Sequence, residues 1–339
     1  MKIGSLLLSL CLAVSFTATS LAQEFYKGKT IRVIVGGTAG GGFDVYTRAM
    51  TRHMGKHIPG NPTFVVDNMT GAATRIAAKY MHSSAKPDGL TFGIFNGYLI
   101  LGRVLGTEGI DFDVRQFEYL GVPVKDNVVC ALHKASGVTN FQQWVAAKTP
   151  VKIGGLGPGN STSDVPRILK AALDLPLQLV EGYKGTADVR LAADAGEVGG
   201  GCWAWESVKV TWASGLQSGS VNVVVQATPK ALPELSKVPV ALEVAKTEEG
   251  RQLIKAGAVD VSSITRVYAT TPGTPKDRVQ TLRKAFIDTL KDPEFVAEAK
   301  KSNLEIDPLT GEEVQKTVAG LFNLNPATVS KLASVLAVK

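Results

Sequence analysis

The chain repeats one pattern of apolar and polar positions. A run of β-branched residues is followed by a turn of glycine or small residues, and then by apolar residues at helical spacing. The first unit joins residues 31–35, the turn "GGTAGGGFD" and a helix predicted to contain Tyr46 and Met50. "TFVVDN" and "LTFGIFN" open two more units. Strands that alternate with helices predict parallel βαβ units in an open, doubly wound sheet.

The same pattern restarts in the middle of the chain. "NVVCALH", "VKIGG", "LQLVEGY" and "VNVVVQ" predict the strands of a second α/β lobe. Proline-punctuated loops and helices follow residue 226, and Pro275 and Pro293 open two of these helices. Apolar strands near residues 117–124 and 221–226 predict two crossings between the lobes. We therefore expect one lobe from residues 23–121 and 226–339, and a second lobe from residues 122–225.

Residues 1–22 are typical of a secretory signal peptide. Lys2 precedes an apolar stretch at residues 3–16, and Ser20 and Ala22 are small residues at the key positions before a cut. An N-terminal membrane anchor is the alternative, but the apolar run is shorter than the ~20 residues that a span needs. The sequence thus predicts export to the periplasm, with cleavage near Ala22.

Charge and cysteine content add two expectations. The formal net charge is +7, with positive and negative residues interspersed and no basic run, so binding of nucleic acid is not expected. Cleavage would leave Cys130 and Cys202, which can pair in an oxidising compartment. Both lie in apolar, strand-like runs, so buried free thiols are an equal alternative. The sequence does not supply the geometry that would decide between them.

The first glycine-rich turn does not fit a nucleotide. A dinucleotide fingerprint that starts at Gly40 finds Val45 where its last glycine belongs, and a P-loop needs Lys and Ser or Thr where Phe43 and Asp44 stand. A bare loop that leads into a helix remains. Its main-chain amides and the helix dipole form an anion site without a basic side chain.

Several turns of this kind are predicted. Helix N-termini are expected after Gly42, Gly71, Gly97 and Gly185 and near residues 161–163. A tight turn alone explains any one of them. Their recurrence in two α/β lobes favours a binding site at the carboxyl ends of the strands.

Five motifs occur along the chain in the order that characterises one protein family. They are "KGKTIRVIVGGTAGGGFDVYTR", "VVDNMTGAATRIAAKY", "KPDGLTFGI", "GYKGTADVRLAADAGEV" and "PGTPKDRVQTLRKAF". From about Tyr26 to near the C-terminus the chain resembles the Bug family, the extracytoplasmic receptors of tripartite tricarboxylate transporters. The resemblance implies a type II periplasmic binding protein, in which two doubly wound α/β lobes joined by a two-strand hinge close on a small carboxylate. It also implies a monomer without cofactor that delivers its ligand to membrane permease subunits.

The resemblance places the ligand at residues 38–44 and 69–73 of the first lobe and at residues 159–163 and 183–188 of the second. The candidate ligand-binding residues are Thr38, Ala39, Gly40, Gly41, Phe43, Asp44, Thr70, Gly71, Ala72, Asn96, Ser161, Thr162, Tyr183, Lys184, Gly185, Thr186, Asp188 and Trp203. The chain departs from the family pattern at Gly36, where many members have proline, at "NMTG", and at "GGGCWAWES", which replaces an Asp-containing strand end.

Several of these residues have a structural alternative. Asp44 either receives an amine or hydroxyl of the ligand or stabilises its own helix from the first turn. The hydroxyl groups of Thr70, Ser161, Thr162 and Thr186 either bind the ligand or cap helices. Lys184 pairs with a second carboxylate or is solvated.

The aromatic residues at strand ends also have two possible roles. They either clamp an apolar ligand body or pack in the core. This set comprises Phe43, Phe95, Tyr98, Tyr183, Trp203 and Trp205.

No catalytic or metal motif stands out. His53 and His57 have i,i+4 spacing but lack the glutamate of a zinc protease helix, and His82 and His133 do not complete a metal set. The sequence contains no Gly-x-Ser-x-Gly elbow. We expect a receptor that captures a small organic anion for transport. A receptor for a sensor kinase and a periplasmic lyase or hydrolase on the same fold are the alternatives.

Overall fold

Strands and helices alternate along the chain, as the apolar pattern predicts. The computed structural model describes residues 25–337, so the predicted signal peptide lies outside the described residues. The strands of this part are β1 (Thr30–Val35), β2 (Thr63–Asn68), β3 (Thr91–Asn96), β4 (Glu118–Val122), β5 (Val128–His133), β6 (Val151–Gly155), β7 (Leu177–Glu181), β8 (Gly200–Ala204), β9 (Val221–Ala227), β10 (Arg266–Thr270) and β11 (Leu309–Thr310).

The helices occupy the segments between these strands. They are α1 (Gly42–Met54), α2 (Arg75–Ser83), α3 (Tyr98–Val104), α4 (Phe141–Val145), α5 (Ser161–Leu173), α6 (Thr186–Asp194), α7 (Trp205–Thr211), α8 (Ala213–Ser218), α9 (Ala241–Val244), α10 (Glu248–Ile254), α11 (Val261–Ser263), α12 (Lys276–Lys291), α13 (Pro293–Lys301), α14 (Gly311–Phe322) and α15 (Pro326–Leu336). Within residues 25–337, no helix combines the length and the apolarity that crossing a membrane requires.

The first of two units is built on a six-stranded sheet. Its strand order is β11-β4-β10-β3-β1-β2. β2, β1 and β3 are parallel, whereas β10 runs antiparallel to both β3 and β4. Ile31, Val33 and Phe92 lie in its buried core together with Phe286 of α12. The parallel strands agree with the prediction of βαβ units. The strands of opposite direction, β10 and β11, come from a distant part of the chain.

The second unit has a five-stranded sheet in the order β7-β6-β8-β5-β9. β7, β6 and β8 are parallel, and β5 is antiparallel to its neighbours β8 and β9. Cys130 of β5 lies directly opposite Cys202 of β8, and the two form a disulfide. Both cysteines are fully buried. The structure therefore decides the question that the sequence left open.

The chain divides between the units differently from the expected boundaries. Within the described residues, the first unit comprises residues 25–96, Asp111–Val124 and Arg266–Lys316, and the second comprises Gly97–Ile110, Lys125–Thr265 and residues 317–337. β9 closes the expected second lobe and pairs with β5 in the second sheet, but the chain after β9 stays in the second unit as far as Thr265.

Close helix packing holds the segment after β9 in the second unit. A Cβ on Gly257 would stand 2.5 Å from Cδ1 of Ile168 in α5 and 2.8 Å from Cδ2 of Leu332 in α15. The absence of a side chain at Gly257 therefore lets three segments of the second unit meet. Such contacts between distant segments are not visible in a local apolar pattern.

Candidate ligand-binding site

The loops that follow β1, β2 and β3 lie at one edge of the first sheet, because the carboxyl ends of parallel strands share an edge. Hydrogen bonds tie these loops together. The Asn68 side-chain amide donates to the carbonyl of Gly37 (2.9 Å), and the amide of Gly36 donates to the carbonyl of Ile94 (2.9 Å). The first two predicted ligand loops are therefore neighbours in the first unit.

Helix α1 begins with an uncovered N-terminus. Its N-cap is Gly41, and no side chain caps the first turn. Thr38, Ala39 and Gly40 are exposed, and Gly41 and Phe43 are half-buried. The amides of an uncapped first turn have no partner within the helix and carry the positive end of its dipole. This end of α1 has the chemistry of an anion site.

Asp44 has a structural role in this loop. It is 3% exposed, and its carboxylate accepts hydrogen bonds from the amide of Gly40 (2.8 Å), from Nε of Arg48 (2.9 Å) and from Nδ2 of Asn68 (3.0 Å). Burial by itself raises the pKa of Asp44, but the hydrogen bonds from Arg48, Gly40 and Asn68 outweigh burial, and the pKa is lowered. These contacts favour the structural alternative over direct binding of a ligand amine.

The loop after β2 holds a rare backbone conformation. Gly71 has φ +122°, and the next three residues, Ala72, Ala73 and Thr74, have φ of +45°, +50° and +74°. Non-glycine residues rarely adopt this left-handed region, and each occurrence costs on the order of 1–3 kcal/mol. Thr70, Gly71, Ala72 and Ala73 are exposed.

Thr74 anchors this left-handed turn and was missed by the sequence analysis. It is buried, and its hydroxyl accepts a hydrogen bond from the amide of Asn96 (3.0 Å). Asn96 itself is half-buried at the end of β3. A Cβ on Gly36 would stand 2.9 Å from Cβ of Thr74, so the first glycine of the β1 loop makes room for the turn. Nothing in "GAATR" signals the left-handed conformation.

Arg266 was also missed. It opens β10 and lies opposite Asn96 in the sheet, because β10 runs antiparallel to β3. Its guanidinium group stands 5.5 Å from the centre of the Tyr46 ring. A cation thus lies near the first-unit loops although it is far from them in the sequence.

In the second unit, the hydroxyl groups at the start of α5 hold the preceding loop. Asn160 is the N-cap and accepts a hydrogen bond from the amide of Thr162 (3.0 Å). The Thr162 hydroxyl accepts from the amide of Leu156 (3.0 Å), and the Ser163 hydroxyl accepts from the amide of Gly157 (2.8 Å). Thr162 is 2% exposed, whereas Ser161 is half-buried and accessible. The structure therefore makes Thr162 a loop anchor.

The N-cap alternative is wrong for Thr70, Ser161, Thr162 and Thr186. The N-caps of the helices at these loops are Thr74, Asn160 and Gly185.

Asp164 is a buried acid that the sequence analysis did not single out. It lies in the first turn of α5 and accepts a hydrogen bond from the amide of Gly159 (3.0 Å). Burial raises the pKa of Asp164 to about 7, although Arg167 and the Gly159 hydrogen bond oppose the shift and Glu181 adds to it. The loop at residues 157–160 is thus held by a carboxyl group that titrates near neutral pH.

Helix α6 repeats the open N-terminus of α1. Its N-cap is Gly185, and no side chain caps it. Tyr183 and Thr186 are half-buried, while Lys184 and Asp188 are exposed. The exposure of Lys184 is compatible with both roles that the sequence left open.

Most of the predicted aromatic clamp belongs to the core. Phe95, Tyr98, Trp203 and Trp205 are between 0 and 7% exposed, and Trp203 stacks on Trp212 with ring centres 5.2 Å apart. Phe43 and Tyr183 are the half-buried members of the set, and they pack on the cores of the first and second units respectively.

A charged cluster lies near the end of α1. Ligand atoms of His53, Asp292 and Glu294 lie within 4.8 Å of one another. Lys56 binds both acids, at 2.7 Å and 2.5 Å, and His57 binds Asp292 at 2.7 Å. These contacts supply the positive charge that the acids require. They explain the cluster as an ion-pair network between α1 and α13.

A cavity of about 560 Å³ is also found in the first unit. It is lined by Lys27, Lys56, His57, Ile58, Pro59, Gly60 and Asn61. These residues precede β1 or β2, so the cavity lies at the amino ends of the strands, away from the predicted ligand loops.

Comparison with known proteins agrees with this arrangement. The family model described as "Tripartite tricarboxylate transporter family receptor" matches residues 47–323. A UPF0065 protein of Bordetella bronchiseptica is 30% identical over 146 residues, which cover 42% of this chain and 42% of that protein. The chain therefore matches less than half the length of this curated relative.

Solved structures show the same fold. A ligand-free TctC solute-binding protein from Polaromonas aligns with a TM-score of 0.69 at 18% identity, over 91% of this chain and 98% of that one. A Rhodopseudomonas palustris protein solved with adipate aligns with a TM-score of 0.64 at 20% identity, over 91% of this chain and 97% of that one. The fold class predicted from the sequence is thereby confirmed. The family is one of transport receptors, in agreement with the expectation that the chain is not an enzyme. The chain belongs to the tripartite tricarboxylate transporter receptor family.

Proposed function

We propose that this protein captures a small organic anion, a mono- or dicarboxylate, in the periplasm and delivers it to the membrane permease subunits of a tripartite tricarboxylate-type transporter. Family membership supports the transport role. The adipate bound to the structural neighbour from Rhodopseudomonas palustris supports a carboxylate as the ligand.

One observation carries the proposal: bare main chain is displayed at the carboxyl edge of the first sheet. The uncapped start of α1 follows β1, and the exposed left-handed turn at Gly71 follows β2, which is paired with β1 in the sheet. Residues 36–44 and 69–74 contain no lysine or arginine. Two basic side chains that contact these loops are paired, Arg75 with the carbonyl of Ala72 (2.9 Å) and Arg48 with Asp44 (2.9 Å). The main-chain amides are suited to a carboxylate, which accepts several hydrogen bonds at once.

Strain in the turn supports a functional role. Three successive left-handed residues cost free energy that a merely structural connection avoids by using glycine. Such strain persists where the surrounding structure enforces it, and it is concentrated at ligand-binding sites. Thr74 holds the turn in this conformation, because its hydroxyl accepts a hydrogen bond from the amide of Asn96. We infer that the turn is held ready for the ligand before binding.

The mechanism follows from the family pattern. Closure of the two units by hinge bending would exclude water and so strengthen the contacts between amides and the carboxylate. Ser161, Tyr183, Lys184, Gly185, Thr186 and Asp188 are the second-unit residues proposed to contribute. Hinge closure predicts that a bound acid lowers the radius of gyration in solution.

Gly41→Val tests the site. A Cβ on Gly41 would stand 3.1 Å from the carbonyl oxygen of Thr38, so the exposed loop must shift slightly to accept it. Because the φ of −74° accepts a side chain, the fold should be retained while the amides are covered. Gly320→Val is the matched control, because Gly320 lies on α14 with no atom within 4 Å of an added Cβ.

The experiment is a thermal-shift screen of mono- and dicarboxylates followed by calorimetric titration. We expect the wild type and Gly320→Val to bind the same acid, and folded Gly41→Val to lose detectable binding. Undiminished affinity in Gly41→Val would contradict the assigned site. Recovery of the acid unchanged after prolonged incubation separates a receptor from an enzyme.

A further inference from the structure

The histidines at the end of α1 lie beside acids from a distant part of the chain. His53 belongs to the last turn of α1, and Asp292 and Glu294 lie at the start of α13. Ligand atoms of these three residues lie within 4.8 Å of one another. The ligands of a zinc ion, each bound at about 2.1 Å, are roughly 3–3.5 Å apart, so movement of about an ångström would bring all three onto one ion. The fold therefore supplies the acids that the histidine motif lacks.

His53 is held in the orientation that a metal ligand requires. Its Nε2 lies 2.7 Å from Oε2 of Glu298, and its Nδ1 faces Oε2 of Glu294 at 3.9 Å. A carboxylate accepts hydrogen bonds and does not donate them, so neutral His53 carries its proton on Nε2 and turns the lone pair of Nδ1 toward the acids. Histidines that bind metals are commonly supported in this way by a carboxylate on the other ring nitrogen.

Asp292 is also fixed by its neighbours. It is the N-cap of α13, and its Oδ1 accepts a hydrogen bond from the amide of Glu294 (2.9 Å). Its Oδ2 lies 2.7 Å from Nζ of Lys56 and 2.7 Å from Nε2 of His57. The Asp292 side chain is 6% exposed, whereas the Glu294 side chain is 73% exposed and is free to adjust. Two ligands are thus set in place, and the third can close on an ion.

In the ion-pair network between α1 and α13, Lys56 shows where a cation is held. Its Nζ lies 2.7 Å from Oδ2 of Asp292 and 2.5 Å from Oε2 of Glu294. One ammonium group balances one of these two carboxylates, whereas a divalent ion balances both. The end of α1 adds the negative end of a helix dipole. Because the Lys56 side chain is half-exposed on a flexible stem, it can turn into solvent and leave this position to another cation.

We propose that His53, Asp292 and Glu294 bind a divalent transition-metal ion, with Zn²⁺ as the expected ion, in exchange for the ammonium group of Lys56. One imidazole nitrogen and two carboxylate oxygens suit Zn²⁺ and leave the fourth tetrahedral position to water. Ca²⁺ prefers sites made only of oxygen atoms. The bound ion would join the end of α1 to the start of α13 and stabilise the first unit. This inference does not depend on the proposed carboxylate-binding function.

The test is calorimetric titration of zinc chloride into the purified protein after treatment with a chelator and dialysis. Melting temperatures, measured with and without metal, show whether each variant is folded. His53→Gln removes the nitrogen ligand, and Lys56→Gln removes the competing ammonium group while all three ligands remain. His133→Gln is the matched control, because it removes an imidazole at the end of β5 in the second unit.

We expect the wild type to bind one Zn²⁺ and to melt at a higher temperature when the ion is present. His53→Gln should weaken binding by about tenfold or more, and His133→Gln should leave it within about twofold. Lys56→Gln should tighten binding by about tenfold, because the ion no longer displaces a charge of the same sign. Calcium chloride should give neither heat of binding nor a thermal shift.

A wild type that gives no heat of binding and no thermal shift with zinc chloride would overturn the proposal. Equal Zn²⁺ affinity in folded His53→Gln and the wild type would place the ion elsewhere on the protein and overturn it as well. Unchanged or weaker binding in Lys56→Gln would contradict exchange with the ammonium group, and this variant decides the question even if His53→Gln does not fold.

Discussion

The hydroxyl of Thr74 accepts a hydrogen bond from the main-chain amide of Asn96 at 3.0 Å. This contact joins the left-handed turn after β2 to the end of β3, which is the neighbour of β1 on its other side. Gly36, at the end of β1, leaves the space that Thr74 occupies. Three loops of the first unit therefore share one anchor.

Thr74→Val should destabilise the protein. Valine keeps the branched shape but removes the acceptor of the part-buried Asn96 amide hydrogen bond, which costs about 1–3 kcal/mol of the free energy of unfolding. Urea denaturation measures the difference. Thr74→Ser retains the hydroxyl and should stay much closer to the wild type. Equal losses in both variants would show that packing of the methyl group matters more than the hydrogen bond.

Ala73→Gly should separate stability from binding. Glycine relieves the left-handed strain at φ +50°, worth about 1–2 kcal/mol, and loses part of this gain to the larger entropy of the unfolded chain. We expect a small net rise in the melting temperature together with weaker acid binding, because the turn is no longer held in one conformation. Asn303→Gly, at an exposed left-handed residue on another loop, is the control and should not alter affinity. Undiminished affinity in Ala73→Gly would show that the strain does not serve binding.

Asp164 should make stability fall with rising pH. Its pKa is raised to about 7 in the folded state from about 4 in the unfolded chain, so the folded state holds the proton more tightly. The stabilisation is full below pH 4 and is lost as the pH rises through 7, up to about 4 kcal/mol in total. Asp164→Asn keeps an acceptor for the Gly159 amide and should remove this dependence. If the stability of Asp164→Asn changed with pH in parallel with that of the wild type, Asp164 would not be the cause of the pH dependence.

Asp292 should make stability change with pH in the direction opposite to Asp164. The hydrogen bond from Lys56 is the main cause of its lowered pKa, to which the Glu294 amide and His57 add. An acid whose pKa is lowered by folding stabilises the folded protein at pH values above its unfolded pKa of about 4. This contribution to stability is lost as the pH falls. Asp292→Asn should therefore weaken the protein at neutral pH and less so in acid, the opposite of Asp164→Asn.

The disulfide between Cys130 and Cys202 should contribute to stability without affecting the ligand loops. It closes a segment with a sequence separation of 72 residues inside the second unit. The Cys130→Ala/Cys202→Ala double variant is expected to lose about 2–4 kcal/mol of unfolding free energy. Calorimetry measures the loss, and titration with an acid identified in the ligand screen should give the wild-type affinity. A large loss of affinity would indicate that the paired strands β5 and β8 position the site.

The local elements could be predicted from the sequence because their signals are local. β-Branched runs and glycine turns located β1, β2 and β3 to within a residue or two. The helix expected after Gly42 begins at Gly42 itself with Gly41 as its N-cap, and the helix expected after Gly185 has Gly185 as its N-cap. The proposed anion-binding chemistry also follows from local features, since it depends on main-chain amides at helix starts.

Long-range placement could not be predicted in the same way. The packing around Gly257 that retains residues after β9 in the second unit, and the position of Arg266 opposite Asn96, depend on partners far apart in the chain. The left-handed turn at Ala72, Ala73 and Thr74 had no signal because those residue types do not favour it. Trp203 was expected at the ligand, but its burial becomes visible only in the folded structure.

A crystal structure of the protein with an acid identified in the ligand screen is the most direct measurement of how the proposed anion is held. Carboxylate oxygens should lie about 3 Å from main-chain amides within residues 38–42 and 71–74. Oxygens bound instead by arginine side chains such as Arg266, or an acid lodged away from both loops, would contradict recognition by the main chain.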